Sequence, residues 1–396
     1  MKNQSNQISF KNTEIAFRHY SNIELAKSYK IFKLLGNDLL NDLGISLTQF
    51  ALAMHLPIGP IVKPLIFTSF CGGETFEECK KTVAKLAERN VFVSLNYGVE
   101  AEHNTDGIKH TIDINTQAIQ FAGKNETAKV ISSKPSAFGL YALLEKKQKG
   151  TKFTENEQVE YNNLLKRMDL ICKTAAENNT KIYWDSEETW VQEAINDIVD
   201  DLMEKYNKEQ VIVYNTFQMY IHYKMAYLEK SIARAKEKDY LLGAKVVRGA
   251  YMEKEREVAK EENRESPIHV NKEATDKDYD DAIALCLENI GLVSTCVASH
   301  NEKSNKKAVE QIELLEIPLN HKHVWFYQLY GMGDHITFNL AEYGVNAGKY
   351  LPFGPVKKVI PYLIRRAEEN SSMDGQMGRE LGMLKKERKR RNKLKK

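Results

Sequence analysis

Residues 181–218 read KIYWDSEETWVQEAINDIVDDLMEKYNKEQVIVYNTFQ, and they contain one complete unit of the fold. Each end is a short apolar, β-branched or aromatic run, KIYW and VIVYNTF. Between them, Trp190–Tyr206 carries apolar residues at helical spacing: Val191, Ala194, Ile195, Ile198, Val199, Leu202 and Met203. A buried strand, an amphipathic helix and a second buried strand predict a βαβ unit and a parallel sheet.

The same alternation extends in both directions. Earlier runs are VFVSLNYG (91–98) and AKVISSKP (128–135). Later ones are LGAKVVRGAY (242–251), VSTCVASHN (293–301), HVWFYQLYG (323–331) and GKYLPFG (348–354). Helical spacing recurs in Tyr220–Lys238 and Asn271–Ile290. Eight runs predict an α/β fold, a (β/α)8 TIM-like barrel. Nearly every run ends in chemically capable groups: Asn96, Lys134, Asp185, Gln218, Arg248, His300, Gln328 and Tyr350. In a barrel, such strand ends converge on one mouth. A doubly wound sheet is the alternative, but there is no G-x-G-x-x-G sequence and no P-loop.

Ahead of the first run, helices are expected at Ile23–Leu35, Leu47–His55 and Thr75–Arg89, with a turn over Pro57–Pro64. The expected organisation is an N-terminal helical arm (1–70), a barrel (71–375) and a basic tail (376–396). The uncharged stretch Leu43–Val62 contains Gln49, His55, Pro57, Gly59 and Pro60, which favour a packed helix and turn over an interfacial patch or a membrane span.

The net charge of +3 is unevenly distributed. Of 57 Lys/Arg, nine lie in Lys385–Lys396 with one of the 54 Asp/Glu; the remainder carries 48 basic and 53 acidic residues, a net −5. Such a tail is either a solvated, partly helical end or a contact for an anionic surface. Five scattered Cys without a CxxC pair suggest a reducing compartment. The N-terminus has neither an apolar signal core nor an Arg-rich amphipathic pattern.

Several segments carry candidate chemistry. In PYLIRRAEEN (361–370), a helix would put Tyr362, Arg365 and Arg366 on one face. Two planar guanidinium forks suit a carboxylate or phosphate, although Glu368 and Glu369 also allow a surface salt-bridge helix. WDSEE (184–188) offers a general base, a metal ligand, a charge partner or plain solvated carboxylates. Lys134 in SSKPS could form a Schiff base, pair with a substrate carboxylate or hold an Asp. KVVRGAY (245–251) joins two cations to Gly249, which lets backbone approach a ligand. No His or Cys has metal-ligand spacing, and no metal is expected.

KVVRGAY, ASHN, QLYGM, KYLPFGPV and PYLIRRAEEN occur in that order. Together they resemble the proline dehydrogenase family, closest to its stand-alone, mitochondrial-type branch. NYGVE (96–100), FTENEQVEYNNLLKRMD (153–169), YWDSEETW (183–190) and NTFQMY (215–220) add to the resemblance, which covers roughly 75–375. It implies a distorted (β/α)8 TIM-like barrel with non-covalent FAD in its mouth, oxidising L-proline to Δ1-pyrroline-5-carboxylate and passing the electrons to a membrane quinone.

Carried over by motif, Arg365 and Arg366 would bind the proline carboxylate with Lys134 beside them. Tyr350, Tyr362 and Leu329 would wall the ring, and Glu100 would pair with the second Arg and gate the site. Asp185 matches the family's catalytic-site Asp. Ser186, Gln218, Arg248, Gly249, Ala250, Tyr251, Ser299 and His300 fall on flavin-contacting positions. Lys245 or Arg248 would be the cation at the flavin N1/N5 edge. Position 245 is Lys where many bacterial members carry Arg, and position 96 is Asn where Asp is frequent. Retained Tyr350 favours proline over its hydroxylated relative. The absent transit pattern favours a bacterial cytoplasmic enzyme with peripheral contact to the inner membrane, or a mitochondrial one if the source is eukaryotic, and no nucleic-acid partner is expected.

Overall fold

A computed structural model describes residues 7–36, 46, 59–99, 104–372 and 376–394. Eight parallel strands close into a barrel in sequence order. They are β1 (Val91–Tyr97), β2 (Val130–Ser133), β3 (Lys181–Trp184), β4 (Val213–Gln218), β5 (Leu242–Val247), β6 (Val293–Ala298), β7 (Val324–Leu329) and β8 (Ala347–Phe353). Each lies within, or within a residue of, one of the eight apolar runs. The unit in residues 181–218 is β3, a helix over Thr189–Tyr206, and β4.

The chain divides into two compact units: Met1–Glu100 with Gln328–Lys396, and Ala101–Tyr327. In the second unit the barrel interior is filled by side chains. Tyr183 and Tyr214 lie 4.6 Å apart, and the Tyr214 hydroxyl reaches Ser294 Oγ at 2.7 Å across a non-adjacent strand pair. Lys181 places its amine 4.5 Å from the Trp325 ring centroid. Burial pushes that amine down to about 8. This is a packed core, as barrels of this type have.

In the first unit, helices Thr13–Phe17 and Asn22–Leu35 share a hydrophobic cluster with Met383, Leu384, Val359 and Tyr362. The expected turn over Pro57–Pro64 is replaced from residue 59 onward by helical structure, Gly59–Val62 running into a π-helical turn Lys63–Phe67. Pro60 occupies a first-turn position, where the missing N–H costs nothing, and Pro64 stands at the step into the π-helical turn. The charged Lys146–Asn156 segment begins inside a helix, Tyr141–Gln148. The expected Leu47–His55 helix lies outside the described residues.

The basic end is a helix, Gln376–Leu394, with one face packed. Glu380, Met383, Leu384 and Glu387 are buried. Arg391 donates to the carbonyls of Phe17 and Tyr20 at 2.7 and 2.8 Å, and Arg390 pairs with Glu14 at 3.0 Å. Among the described residues, no helix is long and apolar enough to cross a membrane.

Candidate active site

In the unit Ala101–Tyr327, Asp185, the first residue after β3, meets Lys245, which lies within β5. Lys245 Nζ lies 2.6 Å from Asp185 Oδ1, with side chains 10% and 17% exposed. Asp185 is fixed by its backbone N–H donating to Ser133 O at 2.9 Å. Lys245 sits on the fully paired β5, and its amine lies 5.8 Å from the Tyr183 ring centroid. The strand backbone thus sets the position of both groups.

Arg248 follows β5 and is braced on all three nitrogens. Nε donates to Asp276 at 2.7 Å, Nη1 to Ser299 Oγ at 2.7 Å, and Nη2 to Ser304 Oγ at 2.9 Å. Its plane also lies 4.3 Å from the Tyr279 ring. Guanidinium donors placed this way are pre-organised for a planar or anionic ligand. Ser299 is buried and His300 half-buried beside it.

Gly249 has φ +140°, and a Cβ there would come within 2.3 Å of the Tyr220 ring. The neighbour this glycine accommodates is therefore Tyr220. Tyr220 N–H donates to Arg248 O at 2.7 Å, tying the loops after β4 and β5 together. Ala250 is exposed and Tyr251 half-buried. Lys134 is exposed, its amine 5.5 Å from the Tyr251 ring centroid.

The sequence reading missed a hub. Glu187 is 3% exposed, and its carboxylate accepts from Ser136 N–H at 2.9 Å and Ser136 Oγ at 2.6 Å. Its carbonyl accepts from Gln218 Nε2 at 2.8 Å, and its N–H donates to Gln192 at 2.6 Å. Burial raises the Glu187 pKa, and the nearby Lys134 charge opposes the rise. The buried Ser186 stands next to it. Ser136 lies two residues after Lys134, so Glu187 links the strand ends that carry Lys134, Asp185 and Gln218.

In the other unit, Tyr362 and Arg365 stand three residues apart on the helix Val356–Ser372, Tyr362 buried and Arg365 half-buried. Tyr362 belongs to the same hydrophobic cluster that Leu329 packs against. Tyr350 is half-buried on β8, and its carbonyl accepts from Tyr330 N–H at 2.9 Å. Arg366 falls on the same helix, its side chain outside what the structure describes, and Glu100 lies outside the described residues.

A family model for proline dehydrogenase matches residues 79–379. The chain belongs to the proline dehydrogenase family. Every candidate residue named above falls within that match. The chain is 38% identical over 245 residues to proline dehydrogenase 1, mitochondrial, of Drosophila melanogaster, covering 59% of this chain and 36% of that protein. It therefore spans little more than a third of that relative's length. It is 29% identical over 327 residues to the carbapenem antibiotics biosynthesis protein CarD of Pectobacterium carotovorum, covering 83% and 85% of the two. Among solved structures, proline utilization A of Bdellovibrio bacteriovorus, inactivated by N-propargylglycine, superposes with a TM-score of 0.72 at 18% identity. That match covers 95% of this chain and 40% of the other, and it supports the fold alone.

Proposed function

We propose that this chain oxidises L-proline to Δ1-pyrroline-5-carboxylate with FAD as the hydride acceptor and a membrane quinone as the onward acceptor. The observation that carries the reading is the family match through residues 79–379, which contains all the candidate groups. The donor set supports FAD. A buried amide (Gln218), an ammonium (Lys245) and a braced guanidinium (Arg248) suit a ring edge rich in acceptors and a diphosphate. Bound FAD would supply two-electron acceptance at its N5.

The protein's part is position and electrostatics. Arg365 and Arg366 clamp the substrate carboxylate, with Lys134 adding positive charge. Tyr350, Tyr362 and Leu329 wall the ring, and Glu100 gates it. Lys245, held by Asp185 at 2.6 Å, would place a fixed cation beside the flavin ring when it is bound. Ser186, Gly249, Ala250, Tyr251, Ser299 and His300 complete the cofactor's surroundings. Proline arrives as a zwitterion, and its ammonium must lose a proton before hydride leaves the adjacent carbon. The rate therefore rises with pH.

The test is turnover of L-proline with an artificial electron acceptor, trapping the product with 2-aminobenzaldehyde. Arg365→Ala is expected to raise KM for proline strongly while the flavin content of the purified protein stays unchanged. Proline kinetics unchanged by that substitution would sink the carboxylate clamp.

A further inference from the structure

The loop leaving β7 is held by more charge than a surface turn needs. Lys349 on β8 is fully buried, with its ammonium 2.7 Å from Asp334 Oδ1. It also donates to Met332 O at 2.5 Å and Leu329 O at 3.4 Å. The other Asp334 oxygen accepts from the Tyr20 hydroxyl at 2.9 Å. Glu380, 2% exposed on the C-terminal helix, accepts from Gly333 N–H at 2.5 Å. Gly331, with φ +79°, closes the loop onto Ser69, whose carbonyl would lie 2.0 Å from any added Cβ.

Three buried charges thus converge on five residues, Leu329–Gly333. Burying an ion costs several kcal/mol even when paired, so a hydrophobic plug would stabilise a plain turn as well. What the charges supply is geometry. Leu329 opens the loop, and Tyr330 N–H donates to Tyr350 O at 2.9 Å. Lys349 immediately precedes Tyr350, and successive strand residues face opposite ways. Anchoring Lys349 on one side therefore fixes Tyr350 on the other.

We propose that Glu380, on the C-terminal helix, and Tyr20, in the bend between the helices Thr13–Phe17 and Asn22–Leu35, are positioning residues that set Leu329 and Tyr350 against the ring of the substrate. The inference rests on the proposed proline site and adds the termini to it. A loosened wall binds proline less well and tolerates a ring hydroxyl better.

The experiment compares full-length wild type with Glu380→Gln, Tyr20→Phe and, as a control, Glu387→Gln. Glu387 is fully buried on the same helix but pairs with Arg390 and Arg391 at 2.8 Å, not with the loop. The readouts are KM and kcat for L-proline, the ratio of kcat/KM for trans-4-hydroxy-L-proline over L-proline, flavin content and Tm. The expected result is a several-fold rise in KM and in the ratio for Glu380→Gln and Tyr20→Phe, with kcat within about two-fold and flavin retained. Glu387→Gln is expected to lower Tm and leave KM and the ratio unmoved. Lower Tm with unchanged KM and ratio in the two loop variants, or an equal KM rise in Glu387→Gln, overturns the proposal. Wild-type protein that does not turn over proline overturns the underlying reading and this inference together.

Discussion

The Asp185–Lys245 pair yields a prediction that needs no ligand. At 2.6 Å and an effective dielectric constant of ~20, the direct attraction is about 6 kcal/mol. Desolvating two ions returns most of this, so the pair's net contribution is small. Breaking it is different, because the surviving charge stays where its partner was. Losing one partner of a buried pair costs ~3–5 kcal/mol. Here the side chains keep 10% and 17% exposure, so partial hydration lowers the figure to about 2–4 kcal/mol for Asp185→Asn or Lys245→Met alone. The double variant leaves no orphan charge. It should fall short of the summed single effects by about 2 kcal/mol or more. Lys245→Arg keeps the charge and should cost less than ~1 kcal/mol. The assay is urea unfolding of all five proteins, followed by far-ultraviolet circular dichroism. Single effects that add to within about 0.5 kcal/mol would refute the claim that these groups act as one unit.

Other consequences follow from particular residues. Gly249→Ala combines φ +140° with a Cβ 2.3 Å from the Tyr220 ring, and should destabilise by about 2–4 kcal/mol in the same assay; a change below ~0.5 kcal/mol would show that the loop relaxes freely. Burial holds His19 neutral, lowering its pKa to about 4, with Asp334 partly opposing the shift. The unfolded chain therefore binds this proton more readily between about 6.5 and 4, and stability attributable to His19 falls as pH drops through that window, by up to ~3 kcal/mol. His19→Asn should flatten the pH dependence of the urea midpoint there, and an unaltered slope would assign the effect elsewhere. On the C-terminal helix, Arg390 and Arg391 are engaged internally while Lys385, Lys389 and Lys393 are exposed. If this face meets anionic lipid near quinone, changing all three lysines to Gln should weaken binding to phosphatidylserine vesicles about 100-fold, at ~1 kcal/mol per residue. Unchanged sedimentation with vesicles would remove the helix from membrane contact.

The barrel was legible because its strands are locally encoded. Runs such as VIVYNTFQ and LGAKVVRG are β-branched, apolar and bracketed by helical spacing. Strand ends likewise exposed Asp185 and Arg248 as candidates, and the KVVRGAY segment added Lys245. Their partners were less legible, because tertiary pairing has no period. Nothing near Arg248 announces that Asp276 and Ser304 will receive its donors. Glu187 was hidden among the carboxylates of WDSEE, identical in kind until burial separates them. The prolines at 60 and 64 punctuate a sequence as turns do, yet one fits a helix start and the other the step into a π-helical turn. Composition alone left the C-terminal run as either a solvated, partly helical end or a contact for an anionic surface. Its packed face was nonetheless present in Glu380, Met383, Leu384 and Glu387, at helical spacing, with two acids where a basic tail would not need them.

The most direct test is the visible spectrum of the purified full-length protein, recorded without oxygen before and after L-proline is added. Flavin absorption that bleaches on adding L-proline, and far more slowly with trans-4-hydroxy-L-proline, is the predicted result. A colourless protein that FAD does not reconstitute, or a flavin spectrum that L-proline leaves unchanged, would contradict the account.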